Sequence, residues 1–133
     1  MQALGKQILA EFYQCDQQLL DDTERVREIL MEATRLSGAT IIEDTFHKFS
    51  PQGVSGMIVI AESHVAIHTW PEYGYAAVDI FTCGDRVDPW EIQKYAQEHF
   101  AAQMVYTMEL KRGMMNSLQS SPVYPAQPQL AKK

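Results

Sequence analysis

Cysteine is scarce in this chain. Cys15 and Cys83 are the two among 133 residues; neither lies in a CxxC pair, and two thiols cannot build a disulfide framework. No apolar run is long enough to cross a bilayer. The start, MQALGKQILAEFYQCD, lacks the basic-then-apolar layout of a signal peptide. Basic charge is also short. Eleven Lys and Arg against 17 Asp and Glu give a formal charge of −6, and the basic residues are scattered, which argues against nucleic-acid binding. These absences leave a soluble protein whose default location is the reducing cytoplasm. At 46% hydrophobic and 21% charged residues, the composition fits one globular domain.

Periodicity supplies the elements. Ile8, Ala10 and Phe12 alternate within Gly5–Gln14, as in a strand. Asp21-Asp22-Thr23-Glu24 offers a capping box, with Asp21 as the cap. Val26, Ile29, Leu30, Ala33 and Leu36 then form one helical stripe that Gly38 closes. Further strands are expected at Ala39–Phe49, Val54–Ala61, Val65–Trp70 and Tyr75–Cys83, with turns at Ser50–Gly53 and Pro71–Gly74. Asp88-Pro89 opens a second helix that runs to about Phe100, and Met104–Leu110 is a closing strand. The domain spans residues 1–112. Residues 113–133, Ser-, Gln- and Pro-containing without periodicity, read as a loose tail.

This order implies an α+β two-layer sandwich, a mostly antiparallel sheet with two helices on one face. Val65 and Ile67 share one face of their strand, and Ala66, His68 and Trp70 the other. Val78 and Ile80 likewise oppose Tyr75, Ala77, Asp79, Phe81 and Cys83. The helices cover the aliphatic face. The second face, with Trp70, Phe81 and Ala77, is too apolar for water, and a second copy stacked sheet on sheet as a dimer is the simplest cover.

The segment GVSGMIVIAESHVAIHTWPEYGYAAVDIFTCGD, Gly53–Asp85, carries the chemistry. Together with LGKQILAEFYQCD, FHKFSPQGVSG and MELKRG it closely resembles the prokaryotic S-adenosylmethionine decarboxylase family of pyruvoyl enzymes, over roughly the first 113 residues. The resemblance implies self-cleavage at Glu62–Ser63 into residues 1–62 and 63–133, with Ser63 becoming the pyruvoyl cofactor. It also implies His68 as the proton acceptor in processing, Ser55 as its helper, and Cys83 as the proton donor in decarboxylation. Phe49, Trp70 and Glu72 fall where the substrate pocket is expected. Val65 stands where the family more often has Leu, a conservative change. The implied product is decarboxylated S-adenosylmethionine for spermidine synthesis, and the implied partners are the small-molecule substrate S-adenosylmethionine and a second copy of the cleaved protomer in a homo-oligomer.

These residue types suit that chemistry. A serine hydroxyl can attack the preceding carbonyl through a five-membered ring, and strain in the tight connection that holds Ser63 would favour the shift. Neutral imidazole is plentiful near pH 7 and can take the α-proton of residue 63. The resulting ketone forms a Schiff base with the substrate amine and accepts electrons as carbon dioxide leaves. A thiol can return the proton. Aromatic faces at Phe49, Trp70 and Phe81 suit adenine and a sulfonium cation.

Taken singly, each residue has a plainer reading. Ser63 alone is a turn serine, His68 a satisfied histidine, Cys83 a small hydrophobe and Ser55 part of a bulge beside Gly53 and Gly56. Trp70 could serve packing, and Glu72 could be a solvated turn residue. His64 and His68 do not share a helical face and no further ligand completes a site, so no metal is expected. The conjunction of Ser63, His68 and Cys83 at the family spacing is what favours catalysis. Two rival functions keep parts of the pattern: decarboxylation of ornithine or arginine on the same scaffold, and an uncleaved nucleoside-binding or regulatory paralogue.

Overall fold

The computed structural model describes residues 2–115. Strand β1 is Gln2–Tyr13, followed by a short helix α1 (Gln17–Leu20) and helix α2 (Thr23–Leu36). Strands β2 (Ile41–Lys48), β3 (Val54–Ile60), β4 (Ser63–Trp70) and β5 (Tyr75–Cys83) come next, with a single 3-10 turn at Pro71–Tyr73. Helix α3 (Pro89–His99) and strand β6 (Met104–Met115) complete the described chain. The sheet has six strands in the order β2-β3-β4-β5-β1-β6, and every neighbouring pair is antiparallel. The architecture is the expected α+β, with the helices on one face.

Alternation decides which face that is. Ile8, Ala10 and Phe12 of β1, Val65 and Ile67 of β4, and Val78 and Ile80 of β5 are all buried. They pack with Val26, Ile29, Leu30 and Ala33 of α2 and with Ile92 and Ala96 of α3 in one core. Each such aliphatic side chain contributes on the order of 1.5–3 kcal/mol by leaving water. Cys15 joins this core, and burial pushes its thiol up to about 11. The opposite face is aromatic and thioether-rich, with Trp70, Tyr106, Met57, Met108 and Leu110 exposed. No helix among the described residues is long and apolar enough to cross a membrane.

Several local expectations change. The cap of α2 is Asp22, which accepts from the Arg25 N–H at 3.1 Å, and not Asp21. Asp21 is drawn elsewhere: it accepts the Gly53 N–H at 2.8 Å and lies 3.3 Å from Lys48 Nζ. Helix α1 was not expected; its four residues are too few to show a period, but Asp16 caps it by accepting the Leu19 N–H at 3.1 Å. Strand β6 continues past Leu110 and through Gly113, because the start of β1 pairs with it as far as Gln2↔Met115. Gly113 reads as a breaker but is the residue that fits: its φ is +67°, and a Cβ there would lie 2.9 Å from Leu4 Cβ. Residues 116–133 of the expected tail lie outside the described residues.

Candidate active site

The expected site residues gather in two places, at opposite ends of β4. The first is the β3–β4 hairpin. Ile60 pairs with Ser63, so the connection is the two residues Ala61 and Glu62. This is not one of the Asn-Gly or Asp-Gly pairs that relax such a turn, and the backbone distorts at the next residue. Ser63 has φ +147°, a region that L-residues other than glycine rarely enter.

The surrounding backbone holds this geometry. The Glu62 carbonyl accepts the Cys83 N–H at 2.8 Å, and the Ala61 N–H donates to the Thr40 carbonyl at 2.8 Å. Glu62 is buried, 8% exposed as a residue. Its carboxylate accepts the Thr40 N–H at 3.1 Å and pairs with the Arg86 guanidinium. Burial pushes the Glu62 carboxyl up, but the bonds from Arg86, from the Thr40 N–H and from its own N–H outweigh it and hold the group below the usual range. Cys83 ends β5 beside this turn as a free, exposed thiol. It opens onto a cleft of about 960 Å³ that Gly5, Lys6 and Lys111 also line.

The second place is the far end of the same strand. Ser55 faces His68 across β3 and β4, with Ser55 Oγ 2.7 Å from His68 Nδ1. Beside them lies a pocket of about 320 Å³ whose walls include Phe49, Ser55, His68, Trp70 and Glu72. All five of these were singled out from the sequence. Gln52, Gly53 and Thr69 also line it and were not. The wall is fixed from behind. Buried Thr69 Oγ1 accepts the Val54 N–H and donates to the Leu20 carbonyl, both at 2.9 Å. Asp21 holds the Gly53 N–H, and the Gly53 carbonyl accepts the Phe49 N–H at 2.8 Å. Bonds from Gly53 and then Lys48 hold the Asp21 carboxyl below its usual range.

One chain does not unite these places. Ser63 opens β4 and His68 lies near its other end, ~17 Å away at about 3.3 Å per residue. Pairing across the sheet keeps Ser55, His68, Trp70 and Cys83 on its exposed face, since Trp70 faces Tyr75, His68 faces Ala77 and Gly5 faces Cys83. Sequence reasoning missed Thr40 and Arg86. They lie outside the signature and carry no periodic or motif signal.

Comparison with known proteins identifies the family. A family model for S-adenosylmethionine decarboxylase matches residues 6–113. A protein of Moorella thermoacetica called S-adenosylmethionine decarboxylase proenzyme is 54% identical over 123 residues, covering 92% of this chain and 98% of that one. A proenzyme of the same name from Syntrophomonas wolfei is 56% identical over 115 residues, covering 86% and 91%. The crystal structure of the adenosylmethionine decarboxylase from Aquifex aeolicus superimposes with a TM-score of 0.83 at 33% identity, over 88% of this chain and 97% of that one. With the signature, the fold and these relatives in agreement, the chain belongs to the S-adenosylmethionine decarboxylase family.

Proposed function

We propose that this chain is the precursor of a self-processing, pyruvoyl-dependent S-adenosylmethionine decarboxylase. The observation that carries the reading is the Glu62–Ser63 unit, where a serine held at φ +147° follows a carbonyl bonded to the Cys83 N–H. The amide donor polarises that carbonyl and steadies charge on its oxygen as the neighbouring hydroxyl attacks. The Ser63 oxygen bonds to the Glu62 carbonyl carbon, the C–N bond breaks, and the nitrogen takes the hydroxyl proton, leaving an ester and a free amine. A base then removes the α-proton of residue 63 and the Glu62 carboxylate departs. Water replaces the nitrogen as ammonia, and a ketone remains at the new chain end.

His68, oriented by Ser55, is the base. At ~17 Å along the same strand it cannot reach Ser63 of its own chain, so the reading includes a dimer that stacks the exposed faces. A two-fold axis lying across the strands would set the His68 end of one β4 over the Ser63 end of the other. The exposed Trp70, Tyr106, Met57 and Met108 support burial of this face.

The residues fit the cofactor that the family implies. A ketone at residue 63 supplies an electron sink for carbon dioxide loss from an amine-bearing carboxylate. The Cys83 thiol donates the proton to the substrate Cα. Phe49 and Trp70 offer faces to adenine and the sulfonium, and Glu72 offers a carboxylate to the same ligand. The test is the mass of the purified polypeptides. Two pieces, 1–62 and an amino-blocked 63–133, that release carbon dioxide from S-adenosylmethionine but not from ornithine or arginine are expected. A full-length chain with an ordinary serine at position 63 would overturn the reading.

A further inference from the structure

Nothing in the reaction as described uses the side chain of Glu62, yet this carboxylate has the densest set of partners at the turn. Three groups converge on it. The Thr40 N–H donates to Oε1 at 3.1 Å, Thr40 Oγ1 lies 3.5 Å from Oε2, and the Arg86 guanidinium pairs with Oε2. Arg86 also donates to Thr40 Oγ1 at 2.9 Å. A surface ion pair is ordinarily worth little. This one differs, because the Glu62 side chain is only 10% exposed although that of the arginine is 66% exposed, and the Thr40 N–H and hydroxyl share the carboxylate.

The anchors come from separate elements. Thr40 precedes β2 and grips the turn twice, its carbonyl taking the Ala61 N–H and its N–H the Glu62 carboxylate. Arg86 follows β5 on the segment that supplies the Cys83 N–H to the Glu62 carbonyl. Rotation of the 62–63 peptide unit is the obvious way to relieve the φ of Ser63. That rotation swings the carbonyl off the Cys83 N–H, and any accompanying shift of the Glu62 Cα works against both anchors of its side chain.

We infer that Thr40 and Arg86 are positioning residues for self-processing, which clamp the Glu62 side chain so that the Ser63 backbone stays strained and its target carbonyl stays on the Cys83 N–H. The inference rests on reading Glu62–Ser63 as the cleaved bond. Neither residue touches the reacting atoms.

The test compares cleavage rates of refolded full-length precursors by intact mass, with hydroxylamine added in parallel to trap the ester. Arg86→Ala should slow cleavage about tenfold, equivalent to about 1.36 kcal/mol, and lower the hydroxylamine-sensitive fraction. Arg86→Lys should recover most of the rate. Glu62→Gln should slow cleavage also, and Arg86→Ala added to it should change little further, since the clamp is already released. Cleavage of Arg86→Ala at the parent rate would overturn the inference. Additive slowing by Glu62→Gln and Arg86→Ala would overturn it too, because Arg86 would then act by another route. A parent chain that never cuts would instead remove the processing reading on which the clamp depends.

Discussion

The two ends of β4 differ in what they store. At Ser63 the backbone is bent to φ +147° and tied by Thr40, Arg86 and Cys83. At His68 the strand is regular, and the useful groups are side chains: a Ser55–His68 bond of 2.7 Å beside an aromatic pocket. In the proposed function, one end prepares a bond to break. The other, on the same reading, handles protons and shapes a ligand. The difference teaches that a single sheet carries both sets of expected site residues without joining them, which is why the proposed reading needs a second copy of the chain.

The most drastic way to break this division is Ser63→Ala, which should leave a full-length, inactive polypeptide by mass spectrometry. His68→Ala should also stay uncut when produced alone. Co-produced with Ser63→Ala, however, the His68→Ala chain should be cleaved, because the partner supplies its histidine to an intact Ser63. No cleavage in the mixture would return His68 to its own chain's site and contradict the stacked arrangement. Cys83→Ala separates the roles at the first end. The backbone N–H that holds the Glu62 carbonyl is retained, so cleavage should proceed, while turnover falls by about 10²–10⁴ with the loss of the proton donor. The mildest effect is expected behind the pocket. Asp21→Ala frees the Gly53 N–H and should raise KM about fivefold, the weight of one hydrogen bond of about 1 kcal/mol, with processing untouched.

The acid response of the Asp21 tether follows from its direction of shift. The folded carboxyl lies below its ordinary value, so the tether contributes fully above the unfolded value and is lost as pH falls through the lowered one. Thermal melts of the uncut Ser63→Ala chain should therefore be insensitive to this group near neutrality and decline in acid. Adding Asp21→Ala should blunt that decline.

Much of this was legible in the chain. Two-residue alternation in Val65-Ala66-Ile67-His68 and in Tyr75–Cys83 assigned the buried and exposed faces, because burial on one side leaves little choice of register. The signature named the residues at both ends of β4. The distance between those ends was not legible as a functional problem, since a motif gives spacing along the chain and says nothing of which copies meet. Nor was the placing of β1 between β5 and β6, which depends on long-range pairing. Asp21 was misread because adjacent aspartates both suit a cap, and only the fold shows the Gly53 N–H competing for one of them. Thr40 and Arg86 escaped for the same reason: their partner is remote in sequence.

The strand order also bears on what a cut between Glu62 and Ser63 would do to the molecule. The leading piece would own β1, β2 and β3, and the trailing piece would own β4, β5 and β6. Yet β1 lies between β5 and β6, bonded to both along its length, while β3 is bonded to β4. The pieces are thus interleaved like the fingers of two hands. Severing the backbone frees neither, and they part only when the sheet itself melts.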